Sequence, residues 1–91
     1  MIRSFRHKGL RELFRDGNSA KVADRLQERC LDILDALDAA IKPEDMNLPG
    51  LDFHGLQGKP KRWTTHVNGP WCITFEFEDG DALRVDLDQY H

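Results

Sequence analysis

The last third of the chain alternates apolar and polar residues with a period of two, which is the pattern of half-buried β-strands. The apolar members of segment 71–77 share one strand face: Trp71, Ile73, Phe75 and Phe77. Asp79-Gly80 then accepts the positive φ of a tight turn, and segment 82–88 resumes the alternation with Leu83, Val85 and Leu87 facing inward. Segment 63–67 alternates as well and is separated from 71–77 by Asn68-Gly69-Pro70. These three runs predict a three-stranded antiparallel meander with one apolar face.

The first half of the chain follows the helical period instead. Leu10, Leu13 and Phe14 lie at i, i+3 and i+4, which predicts a short amphipathic helix over 8–15, closed by Asp16-Gly17-Asn18. A longer helix is predicted over 21–40, where apolar residues recur at helical spacing: Val22, Leu26, Cys30, Ile33, Leu34 and Leu37. Before both helices, segment 2–5 alternates and predicts a short strand that joins the later sheet.

The predicted order is therefore an N-terminal strand, two helices, a loop and three strands. Helices followed by strands favour an α+β, two-layer domain, with the helices packed on one face of an antiparallel sheet. We expect residues 1–91 to form one such domain, because a chain of 91 residues supports one modest core. The other face of the sheet is left for function, and the alternation places these residues on it: Thr64, His66, Cys72, Thr74, Glu76, Arg84 and Asp86.

Composition excludes several classes of protein. No apolar run approaches the roughly 20 residues that span a bilayer, and the N-terminus has no apolar signal-peptide core, so we expect a cytoplasmic protein without a membrane partner. Cys30 and Cys72 do not form a CxxC pair, which argues against a zinc site or a disulfide framework. We therefore expect no metal and no cofactor.

The net charge of −3 is unevenly distributed along the chain. Residues 1–29 carry eight Lys and Arg against four acids, and residues 59–71 carry Lys59, Lys61, Arg62 and His66 without any acid. Residues 76–88, in contrast, hold six acids and only one arginine, Arg84. This distribution is compatible with a local site for a polyanion and argues against a protein that binds nucleic acid with its whole surface.

Four segments, taken in order, resemble one known family closely. They are 1–10 (Met-Ile-Arg-Ser-Phe-Arg-His-Lys-Gly-Leu), 51–56 (Leu-Asp-Phe-His-Gly-Leu), 67–77 and the terminal Gln89-Tyr90-His91. Together they resemble the HigB-type toxins of the RelE/ParE superfamily, the host-inhibition or plasmid-killer proteins of bacterial toxin–antitoxin modules. The resemblance covers essentially the whole chain and implies the RelE/ParE-like two-layer fold.

The resemblance also implies an activity and partners. Members of the family are endoribonucleases that enter the ribosome and cut mRNA in the decoding site without a metal. A HigA-type antitoxin with a helix-turn-helix domain holds them inactive, and operator DNA is reached only through that antitoxin. Two other functions are open for this chain: a toxin fold that no longer cleaves and acts through its antitoxin, and a ParE-like inhibitor of DNA gyrase.

The resemblance points to three catalytic residues. His54 matches the histidine of the family's loop, and Tyr90 and His91 match its terminal pair. The chain departs from better-known members of the family at three positions: Gln57 replaces a lysine, Cys72 replaces an arginine that stabilises the phosphate, and Gln89 replaces an acid.

Metal-independent RNA cleavage needs a base for the 2′-OH, an acid for the leaving 5′-oxygen and a cation near the phosphate. Histidine, with an ordinary pKa of about 6.5, suits both proton roles. His54, Tyr90 and His91 are the candidates for base and acid. The candidates for binding RNA or its phosphate are Lys59, Lys61, Arg62 and His66, and the loop cations 59–62 are favoured over Arg84, which lies among acids.

Overall fold

A computed structural model describes residues 1–89 of the 91-residue chain. It contains two α-helices, a 3₁₀ helix and four strands: α1 (Lys8–Asp16), α2 (Asp24–Ala39), the 3₁₀ helix (Pro43–Met46), β1 (His54–Leu56), β2 (Arg62–Asn68), β3 (Trp71–Glu78) and β4 (Asp81–Gln89). Both helices lie where the hydrophobic spacing predicts them, to within three residues at each end. No helix within residues 1–89 is both long and apolar enough to cross a membrane.

Helix α1 owes its bounds to its two caps. The Nδ1 atom of His7 accepts a hydrogen bond of 3.1 Å from the backbone N–H of Leu10 and so satisfies one of the donors at the N-terminus. At the other end Gly17 adopts φ 85°, and its N–H donates to the Leu13 carbonyl at 2.8 Å. The helix buries Leu10 and Leu13 against α2 and β4.

Helix α2 covers the sheet. Its buried residues recur every three or four positions: Leu26, Cys30, Ile33, Leu34 and Leu37. They pack with residues of the central strands, among them Ile73 and Phe75, into one core between the helices and the sheet. The ring of Trp63 stacks on Phe75 with centroids 6.4 Å apart and extends this core towards β1.

The four strands form one antiparallel sheet in the order β1-β2-β3-β4. The α+β class and the two-layer arrangement expected from the sequence are thus confirmed, but two details of the sheet differ. Strand β1 was expected as part of a loop, and it extends the meander to four strands. The segment 2–5 makes only two isolated parallel bridges to β4, Ile2 with Ala82 and Phe5 with Val85, so it is not a full strand.

The register of β4 also differs from the expected alternation. Leu83 lies opposite Glu76, and Asp86 lies opposite Thr74, so a bulge separates these two pairs. Arg84 lies in this bulge with φ 50°. Because the bulge inverts the alternation, Leu83 shares the strand face of Glu76, whereas Val85 lies in the helix-side core as expected.

Candidate active site on the open face of the sheet

The face of the sheet turned away from the helices, here called the open face, carries a polar row that crosses all four strands. His54 of β1 pairs with Thr64 of β2, Thr64 pairs with Thr74 of β3, and Thr74 pairs with Asp86 of β4. Directly paired residues of antiparallel strands point to the same face. Within residues 1–89 both α-helices pack on the other face, although the two central members of the row, Thr64 and Thr74, are themselves buried.

His54 stands at the exposed end of this row, on the edge strand. Its Nδ1 atom lies 2.8 Å from the backbone carbonyl oxygen of Asp52, a residue with φ 46°. A carbonyl oxygen only accepts, so Nδ1 must carry the hydrogen. In the neutral ring the lone pair is then on Nε2, and this is the tautomer that a general base on the open face requires.

Arg62 lies two residues before Thr64 on the same strand and therefore on the same face as His54. Its Nη2 atom donates a 2.7 Å hydrogen bond to Oγ1 of Thr74, which directs the half-buried guanidinium over the polar row. Thr74 itself is only 3% exposed. The structure thus brings a guanidinium and an imidazole to one face from neighbouring strands.

A second polar row lies beside the first. His66, Cys72 and Asp88 are paired across β2, β3 and β4. Nε2 of His66 donates to the Gly69 carbonyl at 3.0 Å, and the sulfur of Cys72 lies 3.6 Å from the carbonyl oxygen of Asp88. Cys72 is buried, at 3% exposed, so the residue that replaces the expected family arginine offers no cation to this face.

The two loop lysines are placed differently from Arg62. Lys61 donates from Nζ to the Leu56 carbonyl at 3.1 Å and lies 5.8 Å from the centre of the Trp63 ring. Since Trp63 stacks on the core residue Phe75, Lys61 covers the helix side of the sheet rather than the open face. Lys59 is exposed in the loop before β2.

Four further positions were singled out in the sequence: Gln57, Gln89, Tyr90 and His91. Tyr90 and His91, predicted to be catalytic, lie outside the described residues. Gln89 is the last residue of β4 and pairs with Trp71, and Gln57 is exposed just after β1. Of the predicted site residues, the structure therefore gathers His54, Arg62 and His66 on one face.

The open face also carries acids, and each has a partner. Glu76 accepts a 2.9 Å hydrogen bond from Nη1 of Arg84. The carboxylates of Asp86 and Asp88 accept from the backbone N–H groups of the residues that follow them, at 3.0 Å and 2.8 Å. Residues 1–89 contain no cluster of three His, Cys, Asp or Glu side chains suited to a metal ion.

Two features of this site could not be predicted from the sequence. The Asp52 carbonyl, which orients His54, is a backbone atom and leaves no residue-type signal. The role of Thr74 as the acceptor for Arg62 depends on the pairing of β2 with β3. The only signal in the sequence was the alternation that places Thr74 on the polar side of β3.

A four-stranded antiparallel sheet covered on one face by two N-terminal helices, with histidine and arginine on the other face, defines this chain as a small α+β protein of the RelE-like toxin class. Residues 3–91 match the family described as RelE-like toxin of type II toxin-antitoxin system HigB, and the chain belongs to this family. It is 37% identical over 92 aligned positions to the endoribonuclease HigB of Proteus vulgaris, with 100% of both chains covered.

Proposed function

We propose that this toxin is a metal-independent endoribonuclease that cuts mRNA in the translating ribosome and thereby stops translation. The name of the Proteus vulgaris relative, an endoribonuclease of full-length similarity, supports the reaction class. The observation that carries the proposal for this chain is the pair on the open face: His54, oriented by the Asp52 carbonyl, and Arg62, directed over the same face by Thr74.

His54 acts as the general base in this proposal. With Nδ1–H held by the Asp52 carbonyl, Nε2 accepts the proton of the 2′-OH next to the scissile phosphate. The 2′-oxygen then attacks phosphorus, and the bond to the 5′-oxygen of the next nucleotide breaks. The products are a 2′,3′-cyclic phosphate and a 5′-hydroxyl. Tyr90 and His91, at the end of the chain, are proposed to supply the proton for the leaving oxygen and to orient the phosphate.

Arg62 supplies the positive charge that the family arginine would provide at position 72. Its guanidinium comes from β2 rather than β3, but the hydrogen bond to Thr74 directs it over β3, the strand that carries Cys72. A planar guanidinium matches two oxygens of a pentavalent phosphate and stabilises the charge that develops there. His66 on the neighbouring row, and Lys59 with Lys61 in the flanking loop, are proposed to contact the RNA on either side.

The partners follow from the family. The toxin is proposed to be neutralised by a HigA-type helix-turn-helix antitoxin and to reach operator DNA only through that antitoxin. We propose that it acts in the cytoplasm, where ribosomes and mRNA are found, as one domain over residues 1–91. The replacement of the family arginine by Cys72 favours one alternative, a toxin fold that binds its antitoxin without cleaving RNA.

Primer extension on a defined mRNA in a reconstituted translation system tests this proposal. Purified wild-type protein is expected to create new 5′ ends at codons in the decoding site. His54→Ala is expected to abolish them, and Arg62→Ala to reduce the rate on the order of 10²–10³-fold, as for loss of one donor to a developing charge. A folded wild-type protein that creates no new ends would favour the non-cleaving alternative.

A further inference from the structure

The bulge of β4 sets the direction of one arginine side chain on the open face. Arg84 and Val85 lie between the pairs Leu83–Glu76 and Asp86–Thr74, and Arg84 has φ 50°. A non-glycine residue with positive φ is uncommon and persists only where its surroundings hold it. Here Oγ of Ser4 accepts the Arg84 N–H at 2.9 Å, and the Ser4 carbonyl accepts the next N–H at 3.2 Å. Ser4 of the N-terminal segment therefore stabilises the bulge through two hydrogen bonds.

The bulge brings Arg84 onto Glu76. Nη1 of Arg84 lies 2.9 Å from Oε1 of Glu76, whose side chain is only 12% exposed, against 58% for Arg84. A carboxylate so far removed from water requires a cation or several donors. Among the cationic groups of the described residues, this guanidinium is the one that forms an ion pair with Glu76.

A second arginine, Arg62 on β2, lies at the same level of the sheet as Glu76. Arg62 comes one residue before the Trp63–Phe75 pair and Glu76 one residue after it, so the two side chains rise from adjacent strands on the open face. Arg62 nevertheless donates to the Thr74 hydroxyl and not to Glu76. The carboxylate is occupied by Arg84, and within residues 1–89 the hydrogen-bond acceptor of Arg62 is the neutral Thr74 hydroxyl.

We propose that Arg84 is a positioning residue for phosphate binding: by pairing with Glu76 it keeps that carboxylate away from Arg62, whose guanidinium then binds the scissile phosphate. The proposal rests on the phosphate-binding role of Arg62 in the function proposed above. Without Arg84, Glu76 turns to Arg62, which rises beside it from β2, and its carboxylate competes with the phosphate oxygens for the same N–H groups. Arg84 does not itself contact the RNA in this arrangement.

The test separates the charge of Arg84 from its backbone conformation. Arg84→Gly removes the side chain at a φ that glycine adopts without strain, and Arg84→Lys keeps the charge. Glu76→Gln removes the competing carboxylate. Arg15→Ala is the matched control, because Arg15 is also an exposed arginine in an ion pair, with Asp16 on α1.

Arg84→Gly is expected to lower kcat/KM for mRNA cleavage about tenfold, a coupling of the size found between neighbouring charged groups. Combining it with Glu76→Gln is expected to restore the rate to within about twofold of Glu76→Gln alone. Arg15→Ala, with the same change in net charge, should remain close to wild type, and so should Arg84→Lys. A loss that Glu76→Gln does not restore, or an equal loss in Arg15→Ala, would overturn the proposal.

Binding gives a second readout that does not require cleavage. The probe is a short single-stranded RNA with a 2′-O-methyl group at every position, followed by fluorescence anisotropy, together with the NMR signal of Arg62 Nε–Hε. Arg84→Gly should weaken binding about tenfold and shift that signal, and Glu76→Gln should reverse both changes. If wild type binds with this pattern but does not cleave, the ribonuclease proposal fails and the positioning role stands. If Arg62→Ala binds as well as wild type, the positioning role fails.

Discussion

Three of the chain's histidines have one ring nitrogen hydrogen-bonded to the backbone, and the atom used decides what each ring can do. His7 accepts at Nδ1 to cap α1, His54 donates from Nδ1 to the Asp52 carbonyl, and His66 donates from Nε2 to the Gly69 carbonyl. Of these three histidines, only His54 combines an exposed ring with an Nε2 lone pair on the row that passes beneath Arg62. At the residue scale, this pattern supports the proposal that His54 is the base.

The two cysteines permit a direct check of the core at the same scale. Burial raises the pKa of the Cys30 thiol to about 11. At pH 8 only about one molecule in a thousand then carries the reactive thiolate at this position. In a Cys72→Ser variant, which retains Cys30 alone, we expect no measurable alkylation by iodoacetamide until the protein is unfolded in guanidinium. Rapid labelling of the native variant would contradict the packing of α2 on the sheet.

At the scale of elements, the N-terminal segment and β4 act together. Segment 2–5 makes only two bridges to β4, yet Ser4 accepts the N–H groups of both residues in the bulge. The sequence alternation predicted a strand here because it registers side-chain faces and contains no information on backbone partners. The bulge explains why segment 2–5 pairs with β4 only at two positions: an extra residue in β4 disrupts the regular ladder.

Ser4→Ala tests whether this segment holds the bulge. The variant loses the acceptor for the Arg84 N–H, and we expect the free energy of unfolding to fall by about 1 kcal/mol, the size of one net hydrogen bond. Ser4→Thr keeps the hydroxyl and serves as the control. The measurement is urea unfolding followed by tryptophan fluorescence. Equal stability of Ser4→Ala and wild type would show that the hydroxyl does not hold the bulge.

Some helices and strands of this fold can be predicted from sequence and others cannot. Helix α2 buries residues at helical spacing, and strand β3 alternates apolar with polar residues, so their periods are visible in the residues themselves. Strand β1 is three residues long and contains Gly55, and its pairing with β2 makes it a strand. The sheet face on which Leu83 lies depends on the β4 bulge, and the residue types at the bulge do not indicate that it is there.

For the molecule as a whole, the sequence correctly indicated a two-layer fold with the helices on one face of the sheet, but it could not place the cations of segment 59–62. Lys61 and Arg62 are adjacent in sequence and point to opposite faces. The partners that direct them, the Trp63 ring and the Thr74 hydroxyl, are identified only once the strands are paired. The candidate site therefore depends on the fold more than on composition.

The charge distribution predicts a measurable salt dependence. The protein carries a net charge of −3, so the proposed RNA binding relies on a few local cations rather than on overall attraction. Loss of one phosphate contact to single-stranded RNA reduces the slope of log K against log salt by about 0.7. We expect this change for Arg62→Ala, measured with the 2′-O-methyl RNA, and none for Arg15→Ala. Equal slopes in Arg62→Ala and wild type would argue against a phosphate contact by Arg62.

If His54 removes the proton of a 2′-OH, the ends of the cut RNA carry the products of attack by that oxygen. mRNA recovered from translating ribosomes treated with the toxin is analysed by mass spectrometry of the fragment ends. We expect 2′,3′-cyclic phosphates and 5′-hydroxyls with the wild-type protein, and neither with a folded His54→Ala variant. Fragments that end in 3′-hydroxyls and 5′-phosphates, or unchanged cleavage by His54→Ala, would contradict it.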